Sequence, residues 1–328
     1  RRPMLPGLYP ERLGSAAFLD TYGCRFPYVV GEMARGIASV RMVCAAVEAG
    51  LLGFFGSAGL RPVVVRDAVR SIRASVGPDA PWGANLIHSP DAPRRERETV
   101  DVFLEEGVRN VSASAFMSLS REVVRYAARG LRRGPDGRIV RTNRLFAKVS
   151  RPEVANYFLV PPPADLLASL AVAGEISADE ADLQARLPVA ACVTVEADSG
   201  GHTDNRPLTA VFPAIAALRN RLQTAVDPSC PVHLGAAGGL GTPEAIAAAF
   251  AIGADYVVTG SINQSAVESG LSDEGRRMLA EADVADVAMA PAADMFELGV
   301  EVQVLKRGTL FAARGRRLYE LYRRYDAF

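Results

Sequence analysis

Between residues 196 and 207 the chain reads Glu196-Ala197-Asp198-Ser199-Gly200-Gly201-His202-Thr203-Asp204-Asn205-Arg206-Pro207. Carboxylates, an imidazole, hydroxyls and a guanidinium crowded into one short stretch can do several kinds of chemistry. His202, with an ordinary pKa near neutrality, can serve as a general acid or as a hydrogen-bond donor to developing charge. The Gly200-Gly201 pair allows the backbone to approach a planar ligand closely. Glu196, Asp198, His202 and Asp204 could ligate a metal, although the glycine pair suits a flat ligand better than a metal cage. A plain reading is open as well: Asx turns closed by a surface salt bridge.

Two glycine-rich stretches offer a different chemistry. Gly235-Ala236-Ala237-Gly238-Gly239-Leu240-Gly241 runs directly into Thr242-Pro243, an N-cap followed by proline in the first helical position. Backbone without side chains next to the free N–H groups of a helix start is a natural cradle for an anion. Thr259-Gly260-Ser261 makes a second such loop. Each alone is consistent with a structural turn, and together they point to a phosphate site.

Other polar residues stand at the ends of apolar runs. Gly31-Glu32-Met33-Ala34-Arg35-Gly36 closes one, and Asn85 lies in another. Lys148 sits inside a third, where a cation needs a partner. That partner is either a bound anion or electron-rich ring, or an internal carboxylate. His88 follows the run 82–87 and either lines the same site or is satisfied structurally, whereas His233 lies within a run and reads as a core histidine.

The elements that must position these groups are legible. Apolar runs at 27–31, 52–57, 82–87, 109–114, 144–150, 191–197, 232–237 and 256–260 read as eight strands. Most are continuous rather than alternating, as strands of a parallel sheet covered on both faces should be. Helical patterns such as 39–50 and 242–252 lie between them, so the expected fold is a (β/α)₈ barrel. The glycine loops then follow strands seven and eight, where such barrels commonly bind phosphate, and the polar cluster follows strand six. Residues 131–143 read as a surface hairpin and 161–188 as a helical insertion. The barrel is expected to occupy 1–262, and 263–328 is expected to be a helical segment capping or flanking it. In its last helix Leu318, Leu321 and Tyr322 share a face expected to pack on the barrel, opposite a run of arginines.

Composition narrows the function classes. Lys plus Arg and Asp plus Glu are equal at 37 each in 328 residues, which argues against a nucleic-acid or anionic-membrane protein. No apolar run reaches the roughly 18 residues of a membrane span. Cys24, Cys44, Cys192 and Cys230 are scattered without a C-x-x-C, which fits reduced thiols and a cytoplasmic location. No signal peptide is visible, and since the chain begins at Arg1 rather than Met, an earlier leader remains open.

Four strings carry a resemblance over nearly the whole chain: E-A-D-S-G-G-H-T-D-N-R-P, A-K-V-S-R-P-E-V-A, G-A-A-G-G-L-G-T-P-E-A and Q-V-L-K-R-G-T-L-F. They resemble the trans-acting enoyl reductases of polyketide and polyunsaturated-fatty-acid synthases, within the wider group of FMN barrels that includes nitronate monooxygenases. The G-G-H-T-D-N-R-P string is the specific one. The resemblance implies FMN at the barrel mouth, reduced by NADH or NADPH, and an enoyl thioester delivered by an acyl carrier protein domain. It also implies that Gly31, Met33 and Asn85 touch the flavin with Lys148 nearby, that Gly238, Gly239, Gly260 and Ser261 hold its phosphate, and that His202 faces its ring. A nitronate monooxygenase and a non-catalytic docking subunit of a synthase are the alternatives on the same scaffold. Which nicotinamide, which acyl chain and which oligomeric state, a homodimer included, are left open. Two departures stand out: Glu32 occupies the middle of a loop that usually reads Gly-Ala-Met, and Ala191-Cys192 stands where an acidic pair is expected.

Overall fold

A computed structural model describes residues 9–90, 92–201, 203–223, 230–293 and 296–325. The strands, numbered in chain order, are β1 Tyr28–Val30, β2 Leu52–Phe55, β3 Trp82–Ile87, β4 Asn110–Ser114, β5 Arg132–Arg133, β6 Ile139–Val140, β7 Arg144–Val149, β8 Cys192–Glu196, β9 His233–Ala237, β10 Tyr256–Thr259, β11 Val287–Pro291 and β12 Glu301–Leu305. Eight of them close a barrel in the order β1-β10-β9-β8-β7-β4-β3-β2, every neighbouring pair parallel. These are the eight apolar runs of the sequence. Both faces of each strand are covered, the outer one by helices, which is why β2 is buried at every position.

Local signals set the connections. Thr242 accepts a hydrogen bond from the amide of Ala245 at 3.2 Å and opens the helix Pro243–Ala251 with proline in its first turn. The hairpin at 131–143 is the antiparallel pair β5–β6, turned at Gly137, whose φ of 78° suits glycine. The insertion before β8 forms two helices, Ala164–Val172 and Ala178–Gln184, the second opened by a capping box of Ser177 and Glu180.

Two features were not assigned from the sequence. The helix Ala16–Tyr22 lies across the amino-terminal end of the barrel, fastened where the Ser15 amide donates to the Asp255 carbonyl at 3.0 Å. Its Phe18 stacks on Tyr256 with centroids 4.5 Å apart, and Tyr22 packs on Phe146 at 5.0 Å. With Phe54 on Phe146 at 5.1 Å, these rings plug the barrel floor. His233 lies edge-on to Phe18, and burial pushes its pKa down against the opposing pull of Asp255, so it is the core histidine expected.

The second feature is in the carboxyl-terminal segment. Its expected helices are present, Asp273–Ala280 and Phe311–Arg324, but between them β11 and β12 pair as an antiparallel ribbon. The last helix packs on that ribbon rather than on the barrel: Arg316 donates to the Met289 carbonyl at 2.7 Å, and Phe296 meets Tyr319 and Tyr322 at 5.4 and 5.6 Å. The expectation that Leu318 faces the barrel is corrected, since Leu318 is 48% exposed. The apolar run 287–291 and the alternating residues of 301–305 made a ribbon available, and the helix took its packing surface from it. Among the described residues no helix is long and apolar enough to cross a membrane.

Candidate active site

At the carboxyl-terminal end of the barrel, inward-facing side chains from separate strands join in one polar network. Lys148, on β7, places its ammonium 2.9 Å from Glu196 Oε1 at the end of β8 and 3.4 Å from Glu32 Oε1 after β1. Glu32 Oε1 also accepts from the Ser112 and Ser114 hydroxyls of β4, each at 2.8 Å. Asn85, on β3, donates through Nδ2 to the Ser112 carbonyl and to Ser114 Oγ, both at 3.1 Å, which leaves its amide oxygen as an acceptor. On the other side Ser199 Oγ donates to Glu196 Oε1 at 3.3 Å and accepts from the Gly201 amide at 3.2 Å.

The three charged side chains are 5–14% exposed. Burial works against the charge on Lys148, and the Glu196 and Glu32 carboxylates more than offset it, holding the ammonium above its ordinary range. Of the two readings open for Lys148, the internal ion pair is the one observed, and it is double. Two carboxylates around one ammonium give the cluster a formal charge of −1.

The glycine loops lie against this network. A Cβ on Gly238 would sit 2.7 Å from the Ala197 carbonyl oxygen, and one on Gly200 would sit 3.3 Å from Ser261 Oγ. The loops after β8, β9 and β10 therefore form one surface. Gly238 and Gly239 have φ of 90° and 68°, and a Cβ on Gly239 would meet nothing within 4 Å. Among the described residues the amides of Gly238, Gly239, Gly260 and Ser261 donate to no protein acceptor. Four N–H groups without acceptors, on glycine-rich loops beside helix starts, could hold a phosphate.

Other expected residues make packing contacts at or near the mouth. Gly31 is required by packing, for its Cβ would lie 2.8 Å from Val258 Cγ1. Met33 is 7% exposed, with its Cγ 3.9 Å from a Cβ position on Gly260. His88 stacks on Phe116 at 4.7 Å and sits 3.3 Å from Glu96 Oε2 in a neighbouring cleft, so the structural reading describes it. His202 lies outside the described residues.

The carboxylates of the 196–207 loop turn to separate partners: Glu196 to Lys148, Asp198 to the Gln303 amide at 2.7 Å, and Asp204 to Ser150 Oγ and Arg151 Nε, both at 2.7 Å. Among the described residues no group of three metal-ligating side chains converges. Cys192, one of the two departures, opens β8 on the barrel floor, 3.1 Å from the Tyr22 hydroxyl and away from the mouth.

Sequence reasoning missed Ser112 and Ser114. Their signal was the alternation of β4, where Asn110, Ser112 and Ser114 interleave with Val111 and Ala113.

The nitronate monooxygenase family model matches residues 19–311. A polyunsaturated fatty acid synthase protein of Thraustochytrium sp. is 49% identical over 318 residues, covering 96% of this chain and 21% of that protein. Polyketide biosynthesis protein PksE of Bacillus subtilis is 44% identical over 327 residues, covering 100% of this chain and 43% of that protein. The chain thus spans less than half the length of either relative. Among solved structures, the enoyl reductase domain of MlnA from the macrolactin cluster of Bacillus amyloliquefaciens superimposes with a TM-score of 0.92 at 39% identity, over 97% of this chain and 72% of that one.

Proposed function

The chain belongs to the nitronate monooxygenase family, and we propose that within it this chain is an FMN-dependent enoyl reductase acting on α,β-unsaturated thioesters borne by an acyl carrier domain. The observation that carries the reading is the four-amide cradle after β9 and β10 set against a buried, ion-paired mouth. Similarity to the MlnA enoyl reductase domain, and to polyketide and polyunsaturated-fatty-acid synthase proteins, supports it.

FMN held here would supply the hydride-transfer chemistry between NADH or NADPH and the β-carbon of the thioester. Gly238, Gly239, Gly260 and Ser261 would hold its phosphate through their amides. Asn85 would offer its free amide oxygen, and Met33 an apolar wall, to the ring system. Gly200 and Gly201 keep the loop after β8 thin enough for close approach. Lys148, held between Glu196 and Glu32, contributes a fixed positive charge that cannot swing away, because both its partners are anchored on other strands. His202 would donate to the charge that develops on the thioester oxygen, or supply the proton to the α-carbon. Loss of such a donor costs on the order of 10²–10³ in rate.

Purified protein that is yellow and consumes NADH or NADPH only when a crotonyl thioester is present, equally under nitrogen and in air, meets the expectation. Consumption that instead requires oxygen and a nitronate would make the chain a nitronate monooxygenase. Tight carrier binding without turnover would make it a docking subunit. His202→Ala should slow thioester reduction while leaving flavin reduction by the nicotinamide nearly intact.

A further inference from the structure

The last helix, Phe311–Arg324, buries none of its side chains completely. One face is spent on the ribbon: Tyr319 and Tyr322 pack on Phe296, and Arg316 is tied to the Met289 carbonyl. On an adjacent face Phe311, Leu318 and, just past the helix end, Tyr325 recur every seven residues and are 50%, 48% and 58% exposed. Leu310, 62% exposed, extends this stripe at its start. Arg314, Arg317 and Arg324 flank it and are exposed. Within the helix five arginines stand against one acidic residue, Glu320, on a chain whose overall charge is zero.

We propose that this stripe is a docking surface for an acidic amphipathic helix of the carrier domain that brings the thioester, and in this the inference rests on the function proposed above. Three observations select that occupant. A seven-residue apolar repeat is the spacing at which a partner helix lays its own apolar stripe into a seam. A bilayer, by contrast, takes up a broad apolar face, and this stripe is only about one residue wide. The flanking charge disfavours a second copy of the chain, because two-fold pairing would set arginines against arginines. An acidic helix satisfies both the stripe and its flanks. The platform is also connected to the site: the ribbon beneath the helix reaches the mouth through Gln303, whose amide donates to Asp198 in the loop after β8 at 2.7 Å. A carrier seated on the helix is thereby held to a unit that touches the rim of the barrel.

The test is a titration of a fluorescently labelled, unmodified acyl carrier domain with the whole chain, at low and at physiological salt. Leu318→Glu is one variant and Arg314→Glu with Arg324→Glu another; all three positions are exposed, and thermal melts check that each variant folds like the parent. Binding should weaken on the order of tenfold or more in both variants, and the salt dependence of the parent should flatten in the arginine variant. In turnover, kcat/KM for carrier-bound crotonyl thioester should fall by a similar factor, while that for crotonyl-N-acetylcysteamine stays within about twofold. The titration needs no catalysis, so a chain that reduces neither thioester removes the proposed function and leaves docking to be decided by binding alone. The inference is overturned if the parent does not bind the carrier, or if either folded variant binds it as the parent does. It is also overturned if Leu318→Glu dissociates a dimer in sedimentation, or if the parent binds phosphatidylserine vesicles in preference to the carrier.

Discussion

The two ends of the barrel interior are filled by opposite means. At the floor, Phe54, Phe146 and Tyr256 point inward from β2, β7 and β10, and the helix Ala16–Tyr22 adds Phe18 and Tyr22 from below. Thr194 Oγ1 lies there, 2.7 Å from the Tyr256 hydroxyl. At the mouth the inward positions are Asn85 of β3, Ser112 and Ser114 of β4, Lys148 of β7 and Glu196 of β8, joined by Glu32. Strand β7 contributes to both, Phe146 to the floor and Lys148 to the mouth, two residues apart. A floor of rings gains from burial itself, some 1.5–3 kcal/mol per large side chain, with small increments from ring geometry. A mouth of charges gains little net stability from burial but holds fixed dipoles toward whatever enters. Stability and chemistry are thus separated along the barrel axis.

The difference can be broken most sharply at the mouth loops. Gly239→Asp sets a carboxylate beside the four free amides, at a position where a side chain meets open space and where aspartate tolerates the left-handed backbone. FMN affinity should fall on the order of 1,000-fold or more, since like charges a few ångströms apart repel by several kcal/mol, with little change in thermal stability. Flavin absorbance of the purified variant is the measurement, and stoichiometric FMN in it would remove the phosphate assignment.

Next come paired substitutions on β7. Lys148→Met leaves Glu32 and Glu196 facing each other without their cation, and the cost expected is about 3–5 kcal/mol. Adding Glu32→Gln should recover part of that loss, because the remaining carboxylate then keeps a hydrogen-bonding neighbour. On the floor, Phe146→Leu should cost about 1–2 kcal/mol and leave the substrate KM unchanged. Urea unfolding of the four proteins reads the stability changes, and steady-state turnover reads the KM. A harmless Lys148→Met would mean that the carboxylates do not rely on Lys148, and the contrast between the ends would collapse.

The smallest effect is in the pH dependence, where the ends should differ in sign. His233 has its pKa lowered by burial, so the unfolded chain takes up its proton first, near the ordinary 6.5, and the floor loses stability as pH falls below that value. Lys148 has its pKa raised, so its contribution is complete below the ordinary 10.5 and is lost as pH climbs beyond it. Each limb is worth at most about 1.4 kcal/mol per pH unit. His233→Phe should flatten the acid limb alone, and Lys148→Met should flatten the alkaline limb, in melting curves across pH; a His233→Phe variant that alters the alkaline limb, or a Lys148→Met variant that keeps it, would disprove the assignment.

By itself the sequence determined the eight strands, their order, the helix starts and the two glycine loops. Each of these rests on a local cause: a doubly buried strand is a continuous apolar run, Thr242-Pro243 caps its own first turn, and φ near 90° at Gly238 is a demand on that one residue. The specific string at 196–207 located the rim in the same way. Only the tertiary structure decided what Lys148 pairs with, since Glu32 and Glu196 come from the ends of two other strands and neither distance follows from spacing along the chain. It likewise decided that Ala16–Tyr22 plugs the floor, for its two aromatic rings have no partner until Phe146 and Tyr256 have been gathered by closure of the barrel. The ribbon β11–β12 belongs with these, because the surface that draws the last helix away from the barrel exists only once two short strands have paired. Local pattern specifies an element through its own backbone and solvent exposure, whereas contacts between distant residues depend on which inward positions closure brings face to face.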